Sequence, residues 1–288
     1  MNQTQNRRLR RGAALLPSFF TVGNLLCGYY SILSSAKGSV VDLDMAAKAI
    51  GIAVVLDTLD GRVARMTNGS SPFGKEFDSL ADITSFGIAP AFLALAWGLR
   101  GLDPVVAGNS ALVHNIYQVG WIATFAFVIC GAWRLARFNI QGADGSHHVH
   151  AELPPHRYFV GMPIPAAAGV IAAIVHFFKS PITEWYWAVG WLVLVSWLAL
   201  LMVSPIRYHS FKGIDLRRRR TSLVVVVIGL LVWSIVVFSE VVLLAMALTY
   251  LVSGLVGLAR RRLLGHRSAL VFPHGSQGCF RLVQGRDR

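Results

Sequence analysis

The chain has 288 residues, of which 55% are hydrophobic and only 14% charged, and its formal net charge is +13. A soluble domain carries about 25% charge, so the composition excludes an ordinary soluble globule. Apolar runs near the ~20 residues needed to cross hydrocarbon indicate an integral membrane protein instead, and the excess of bases is better explained by membrane topology than by nucleic acid.

Taken in order, the chain opens on the basic run Arg7-Arg8-Leu9-Arg10-Arg11 and enters an apolar stretch with no Ala-x-Ala cleavage signal at its end, so an uncleaved first span is expected. The apolar stretches predict eight spans, near residues 13–36, 45–65, 78–99, 118–137, 159–178, 185–204, 221–239 and 241–259. Backbone polar groups in lipid are satisfied only within helices or closed barrels. The stretches are long and show no strict alternation, so the fold class is all-α, a polytopic helical membrane bundle. Pro163 and Pro165 are expected to kink the fifth span. The last two spans, separated by Ser239-Glu240, form a tight hairpin in which Glu240 needs only water.

With the N-terminus in the cytoplasm, only Lys37, Lys48, Arg100 and Lys179 of the 27 Lys and Arg fall on the far side. This asymmetry predicts that both termini are cytoplasmic, in a membrane best matched by a bacterial inner membrane. The expected organisation is a basic N-terminus (1–12), a catalytic membrane domain (13–215), two further spans (216–259) and a basic tail (260–288). The run Arg217 to Arg220 serves as a topology signal that also attracts anionic lipid. His147, His148 and His150 have no matched second cluster and are taken as solvated loop residues, and Cys27, Cys130 and Cys279 show no pairing pattern.

Four aspartates stand out against this apolar background, because ionised carboxylates at a bilayer edge are expensive unless something cationic holds them. At about 100° per residue, Asp57, Asp60, Gly61, Ala64 and Arg65 share one helix face, within an arc of about 140°. Gly74, Asp78 and Asp82, spaced i, i+4, i+8, form a second stripe that Ser85 extends. If the second and third spans form a hairpin, the four carboxylates converge. Oxygen donors without His or Cys suit Mg²⁺, Mn²⁺ or Ca²⁺ rather than zinc. Two such ions would neutralise a pyrophosphate and stabilise both attacking and leaving oxygens. Gly61 and Gly74 leave room for a base or a phosphate, and Arg65 offers a fork for phosphate oxygens.

The run Asp57-x2-Asp60-Gly61-x2-Ala64-Arg65-x8-Gly74-x3-Asp78-x3-Asp82 resembles, position for position, the signature of the CDP-alcohol phosphotransferase family. The flanking segments Thr21 to Gly28, Phe73 to Gly87, Arg134 to Asn139, Phe159 to Pro165 and Leu201 to Tyr208 resemble its phosphatidylserine synthase branch. The resemblance covers about residues 13–215 and implies a helical membrane enzyme, usually a homodimer. Such an enzyme moves a phosphatidyl group from CDP-diacylglycerol to an alcohol, here L-serine, and releases CMP. It also implies that Asp57, Asp60 and Asp78 are metal ligands, and that Asp82 is a shared ligand and general base. Gly61, Arg65 and Gly74 would contact the cytidine diphosphate, while Asn24 serves either that group or a helix-packing hydrogen bond. Arg134, Arg137 and Asn139 are candidates for the serine carboxylate or a phosphate. The same transfer to glycerol 3-phosphate or an inositol derivative is the nearest alternative. A cation transporter is a distant one, since no repeat or broken helix points to it.

Overall fold

The computed structural model describes residues 3–67, 72–102, 110–143, 158–204, 207–209 and 239–268, with side chains described over 19–63, 73–102, 110–140, 161–204 and 239–254. The eight α-helices of these segments are α1 (Gln3–Lys37), α2 (Val40–Thr67), α3 (Pro72–Asp82), α4 (Ala89–Leu99), α5 (Ser110–Ala143), α6 (Ile164–Phe178), α7 (Trp185–Val203) and α8 (Ser239–Ser268). A π-helical segment, Ile83–Ile88, joins α3 to α4 without interruption. Among the described residues three helices are long and apolar enough to cross a membrane, Phe73–Leu99, Ser110–Ile140 and Trp185–Val203. Ile164–Phe178 and Ser239–Gly254 are shorter apolar helices.

Two expectations change. The residues expected to begin the fifth span are not helical. Tyr158–Val160 (β1) pairs antiparallel with Arg207–His209 (β2), Phe159 opposite Tyr208. The backbone then turns at Gly161 (φ +82°), and Pro163 is an extended N-cap with Pro165 in the first turn of α6. Proline has no N–H to lose at a helix start. The two prolines therefore launch the helix instead of kinking it. Glu240, expected to need only water, pairs with Lys179 at 2.5 Å. The expected span 221–239 lies almost wholly outside the described residues, as do the histidines of the 147–150 loop, Arg217 to Arg220 and Cys279. Cys27 and Cys130 are free thiols.

The most central element is α4, which touches α1, α2, α5, α6 and α7. Trp191 of α7 donates its indole N–H to the Ala94 carbonyl at 3.0 Å and stacks edge-on against Trp97, with ring centroids 4.9 Å apart. These two rings weld α4 to α7 and satisfy a polar atom in the process.

The longest pairing is α1 against α2. Between them the chain reverses at Gly38, whose φ of +76° suits glycine after a helix C-terminus. Arg100 donates to the Ala36 carbonyl at 2.7 Å and the Ser35 carbonyl at 3.4 Å, closing the end of α1. Ser39 caps the start of α2: its hydroxyl accepts the Asp42 N–H at 3.1 Å and donates to the Asp42 carboxylate at 2.6 Å. The faces of α1 are inverted relative to a water-soluble helix. Thr21, Asn24, Ser31, Ser34 and Ser35 are buried against neighbouring helices, while Phe19, Val22, Leu26 and Leu33 face outward. Small and weakly polar residues let helix backbones approach closely in lipid, where outward-facing apolar side chains carry no cost.

At the Gly38 end of α2, Asp44 meets Lys48 at 2.8 Å and the Nδ1 of His176. The other ring nitrogen of His176 lies 3.0 Å from the Ser239 hydroxyl. Together with the Lys179–Glu240 pair, this cluster fastens the start of α8 to α2 and α6.

Candidate active site

The site forms at the opposite end of α2, about 20 Å along the helix from Asp44. Asp57 from α2 and Asp78 and Asp82 from α3 each present a carboxylate oxygen, and these oxygens lie within 4.8 Å of one another. The i, i+4 spacing of Asp78 and Asp82 puts both on one face of α3, and that face meets the Asp57 face of α2.

Asp60 is adjacent, within electrostatic reach of the other three. It is almost fully buried and accepts a hydrogen bond from the Thr21 hydroxyl. The four aspartates thus form a close trio with a fourth held at its side by α1. Asn24, one turn along α1 from Thr21, is wholly buried and donates its Nδ2 to Asp82 at 3.4 Å.

The π-helical segment begins directly after Asp82. It is closed by the Ala89 N–H on the Thr84 carbonyl, a five-residue step. The wider turn advances the downstream helix face relative to an α-helix, a device that recurs at functional sites. Here it buries Ser85, whose hydroxyl donates to the Asn24 carbonyl at 2.9 Å. Contact at this point requires Gly28, since a Cβ there would lie 2.7 Å from the Ser85 Cα. The same close approach that seats Ser85 against α1 brings Thr21 and Asn24 within reach of the carboxylates.

Among the described residues no Lys, Arg or His forms an ion pair with Asp57, Asp78 or Asp82; the ion pairs found there involve Asp42, Asp44 and Glu240. At an effective dielectric constant of about 20, two unit charges at that separation repel by roughly 3 kcal/mol. Three such pairs, if all three carboxylates were ionised with no cation between them, would together approach the whole stability of a typical domain. A divalent cation removes this cost, and three convergent carboxylates with no His or Cys are the donor set a hard cation prefers. The residues present therefore fit a divalent metal, which Asp57, Asp78 and Asp82 could hold.

Gly61 and Gly74 flank the trio on α2 and α3, both half-buried. The backbone at Arg65 is helical, but its side chain lies outside the described residues. Arg134 of α5 is half-buried, and its Nε is buried without a hydrogen-bond partner. Its guanidinium is within electrostatic reach of Asp82. Arg137, one turn on, is exposed. Asn139 donates its Nδ2 to the Ser79 hydroxyl at 2.8 Å, and Ser79 donates in turn to the Lys75 carbonyl at 3.0 Å. Asn139 thereby ties α5 to α3 between two of the acidic residues.

The parts that sequence reasoning missed are the Thr21 and Ser79 hydroxyls and the π segment. Thr21 and Asn24 carried a usable signal, two polar residues three apart on an otherwise apolar helix. Ser79 and Asn139 are 60 positions apart and carried none.

A match to the CDP-alcohol phosphatidyltransferase family spans residues 14–202. The chain is also similar to proteins named CDP-diacylglycerol–serine O-phosphatidyltransferase. That of Helicobacter pylori (strain J99) is 34% identical over 222 residues, covering 75% of this chain and 81% of the relative. That of Bacillus subtilis (strain 168) is 32% identical over 197 residues, covering 68% and 91%. That of Methanocaldococcus jannaschii is 32% identical over 183 residues, covering 64% and 73%.

Proposed function

Because the chain belongs to the CDP-alcohol phosphatidyltransferase family, we propose that it transfers the phosphatidyl group of CDP-diacylglycerol to the hydroxyl of L-serine, giving phosphatidylserine and CMP. The protein is an integral membrane enzyme of phospholipid biosynthesis. The observation that carries the reaction class is the convergence of Asp57, Asp78 and Asp82 at one end of membrane-type helices. Its serine acceptor rests on the relatives' shared activity.

A divalent ion, Mg²⁺ or Mn²⁺ and in the fullest form two ions, supplies charge neutralisation for the pyrophosphate when held by Asp57, Asp78 and Asp82, with Asp60 beside them. The remaining work belongs to the chain. Thr21 holds Asp60, and Asn24 steadies the Asp82 carboxylate from α1. Gly61 and Gly74 admit the cytidine diphosphate close to the helix backbones, and Arg65 holds its phosphates. Asp82 takes the proton of the serine hydroxyl. The serine oxygen bonds to the phosphorus that carries diacylglycerol, the bond from that phosphorus to the bridging oxygen breaks, and CMP leaves with the electron pair. Arg134 receives the serine carboxylate. Arg137, being exposed, serves phosphate or lipid headgroups at the rim.

The full topology in this proposal has eight spans in a bacterial inner membrane, with both termini and the site on the cytoplasmic side, where serine and the nucleotide product are soluble. The active form is a homodimer.

Purified protein in detergent, supplied with CDP-diacylglycerol, Mg²⁺ or Mn²⁺ and labelled serine, is expected to yield phosphatidylserine and CMP in equal amounts. Glycerol 3-phosphate and inositol, assayed in parallel, are expected to be used at least about tenfold less efficiently, a factor that one charged hydrogen bond accounts for. CMP release with another alcohol but not serine would replace the acceptor. The absence of CMP with every alcohol would end the enzyme reading.

A further inference from the structure

We propose that Asn139 of α5 is a positioning residue for the acidic trio, and that by fixing α3 it makes the site selective for a small divalent ion, Mg²⁺, over a larger one, Ca²⁺. This rests on the reading above that Asp57, Asp78 and Asp82 hold a divalent cation.

Of the trio, Asp57 stands on α2, which packs against α1, α4 and α6. Asp78 and Asp82 stand on α3, a helix of 11 residues. Among the described residues α3 makes its broad contact with α1 and then runs into the π segment. Much of its surface is open: Phe73 is 77% and Leu80 63% exposed, and Lys75 and Glu76 are exposed as well. Packing therefore holds α3 mainly on one side. A helix held on one side is free to tilt, and a tilt moves both of its carboxylates relative to Asp57.

A hydrogen bond from α5 supplies a second support. The Asn139 Nδ2 donates to the Ser79 hydroxyl at 2.8 Å, and Ser79 uses its own O–H on the Lys75 carbonyl at 3.0 Å. A hydroxyl has one proton and two lone pairs, so Ser79 meets α5 as an acceptor, and an amide N–H is a group that fits it. Ser79 directly follows Asp78 and stands three residues before Asp82. The bond thus grips α3 inside the stretch that carries both carboxylates. Its anchor is firm, since α5 packs along α7 and against α4, and Tyr117 of α5 donates to the Leu99 carbonyl at 2.7 Å. From α1, Asn24 donates to Asp82 at 3.4 Å. The acid-bearing turn of α3 is braced by amides from two different helices.

Ion size turns this brace into selectivity. Mg²⁺ demands near-ideal octahedral geometry at about 2.0–2.1 Å, whereas Ca²⁺ takes about six to eight oxygens at about 2.3–2.6 Å in a flexible arrangement. A trio whose spacing is held suits the small ion, and a trio free to spread serves the large ion as well. The Asn139 N–H is engaged by Ser79, so its effect on the site passes through α3 and the position of Asp78 and Asp82.

The experiment follows the melting temperature of the full-length protein in detergent as Mg²⁺ or Ca²⁺ is titrated into the chelated form, a readout that needs no turnover. In Asn139→Ala the Mg²⁺ concentration at the midpoint of the rise is expected to increase about tenfold, the lower end of the loss of about 10–100-fold that follows removal of a group supporting metal ligands. The Ca²⁺ midpoint is expected to stay within about twofold. Ser79→Ala is expected to give the same split, and the double variant no more than either single one, because partners in one hydrogen bond are not additive. Ser79→Thr, which keeps the hydroxyl, is expected to keep the wild-type values. An unchanged Mg²⁺ midpoint in Asn139→Ala overturns the proposal, and so does an equal weakening for both ions, the pattern of a fold loosened throughout. Wild-type protein run alongside separates this from the cation reading. If neither ion raises the wild-type melting temperature, both proposals fall. If both ions raise it and Asn139→Ala responds identically, only the role of Asn139 falls.

Discussion

Asp78→Asn is expected to lower CMP release by roughly 10³-fold or more, while the metal-free protein melts at the same temperature as wild type or higher. The loss follows from removing one of three convergent oxygens whose combined charge makes the cluster a cation site, and carboxylates acting in acid–base or metal-supported steps commonly carry factors of this size. The opposite sign of the stability effect follows from the same geometry. Two ionised carboxylates within 4.8 Å of one another repel by roughly 3 kcal/mol at an effective dielectric constant of about 20 when no cation is present. An amide of the same shape removes two of the three repulsive pairs. Activity measured as CMP release and stability measured by thermal unfolding in detergent, with and without chelator, read the two effects separately. Wild-type turnover in Asp78→Asn would remove this residue from the mechanism. A sharp loss of metal-free stability would instead make the trio a structural element.

Removing divalent metal is expected to stop CMP release completely, and restoring Mg²⁺ or Mn²⁺ is expected to raise the melting temperature as well as the rate. The second readout does not depend on turnover. A ligand that binds only the folded state stabilises it by about 2.7 kcal/mol at a hundred times its dissociation constant, and here binding also cancels the repulsion among Asp57, Asp78 and Asp82. The double substitution of Asp57 and Asp78 by Asn is expected to abolish the metal-dependent rise. A chelated wild type that keeps its activity, or a double variant stabilised as strongly as wild type, would place the metal elsewhere.

The acidic trio was legible in the sequence because its geometry is local. Asp78 and Asp82 are one helical turn apart, and Asp57 lies on a helix of plain period, so residue spacing alone put each on a face. Asp60 shows where that logic stops. Its spacing is as good as that of the others, yet it turns to Thr21, a partner 39 positions earlier that only the packing of α1 on α2 supplies. The π segment has no signal in its composition, because Ile83 to Ile88 would equally continue an α-helix. What selects the wider turn is the contact of Ser85 with the Asn24 carbonyl across Gly28. The prolines misled for a related reason. A proline inside an apolar run looks like a kink until a positive φ at Gly161 and the ribbon with β2 show that the helix has not yet begun. The Glu240–Lys179 pair likewise needs α6 and α8 to be neighbours, which the sequence does not state.

The inverted faces of α1 also bear on how the protein reaches its membrane. A segment entering lipid alone would expose Thr21, Asn24, Ser31, Ser34 and Ser35 to hydrocarbon, and α2 alone would carry Asp57 and Asp60 with it. A single Asp near the middle of an inserting helix costs about 3 kcal/mol. The tight reversal at Gly38 and Ser39 offers a way around this, because α1 and α2 can partition as a preformed pair with Thr21 already on Asp60. If α1 and α2 span the membrane as proposed, their insertion is expected to be cooperative. In a translocon insertion assay, α1 fused to a reporter is expected to insert poorly by itself and well when α2 follows. Equal insertion of α1 with and without α2 would mean that each helix enters unaided.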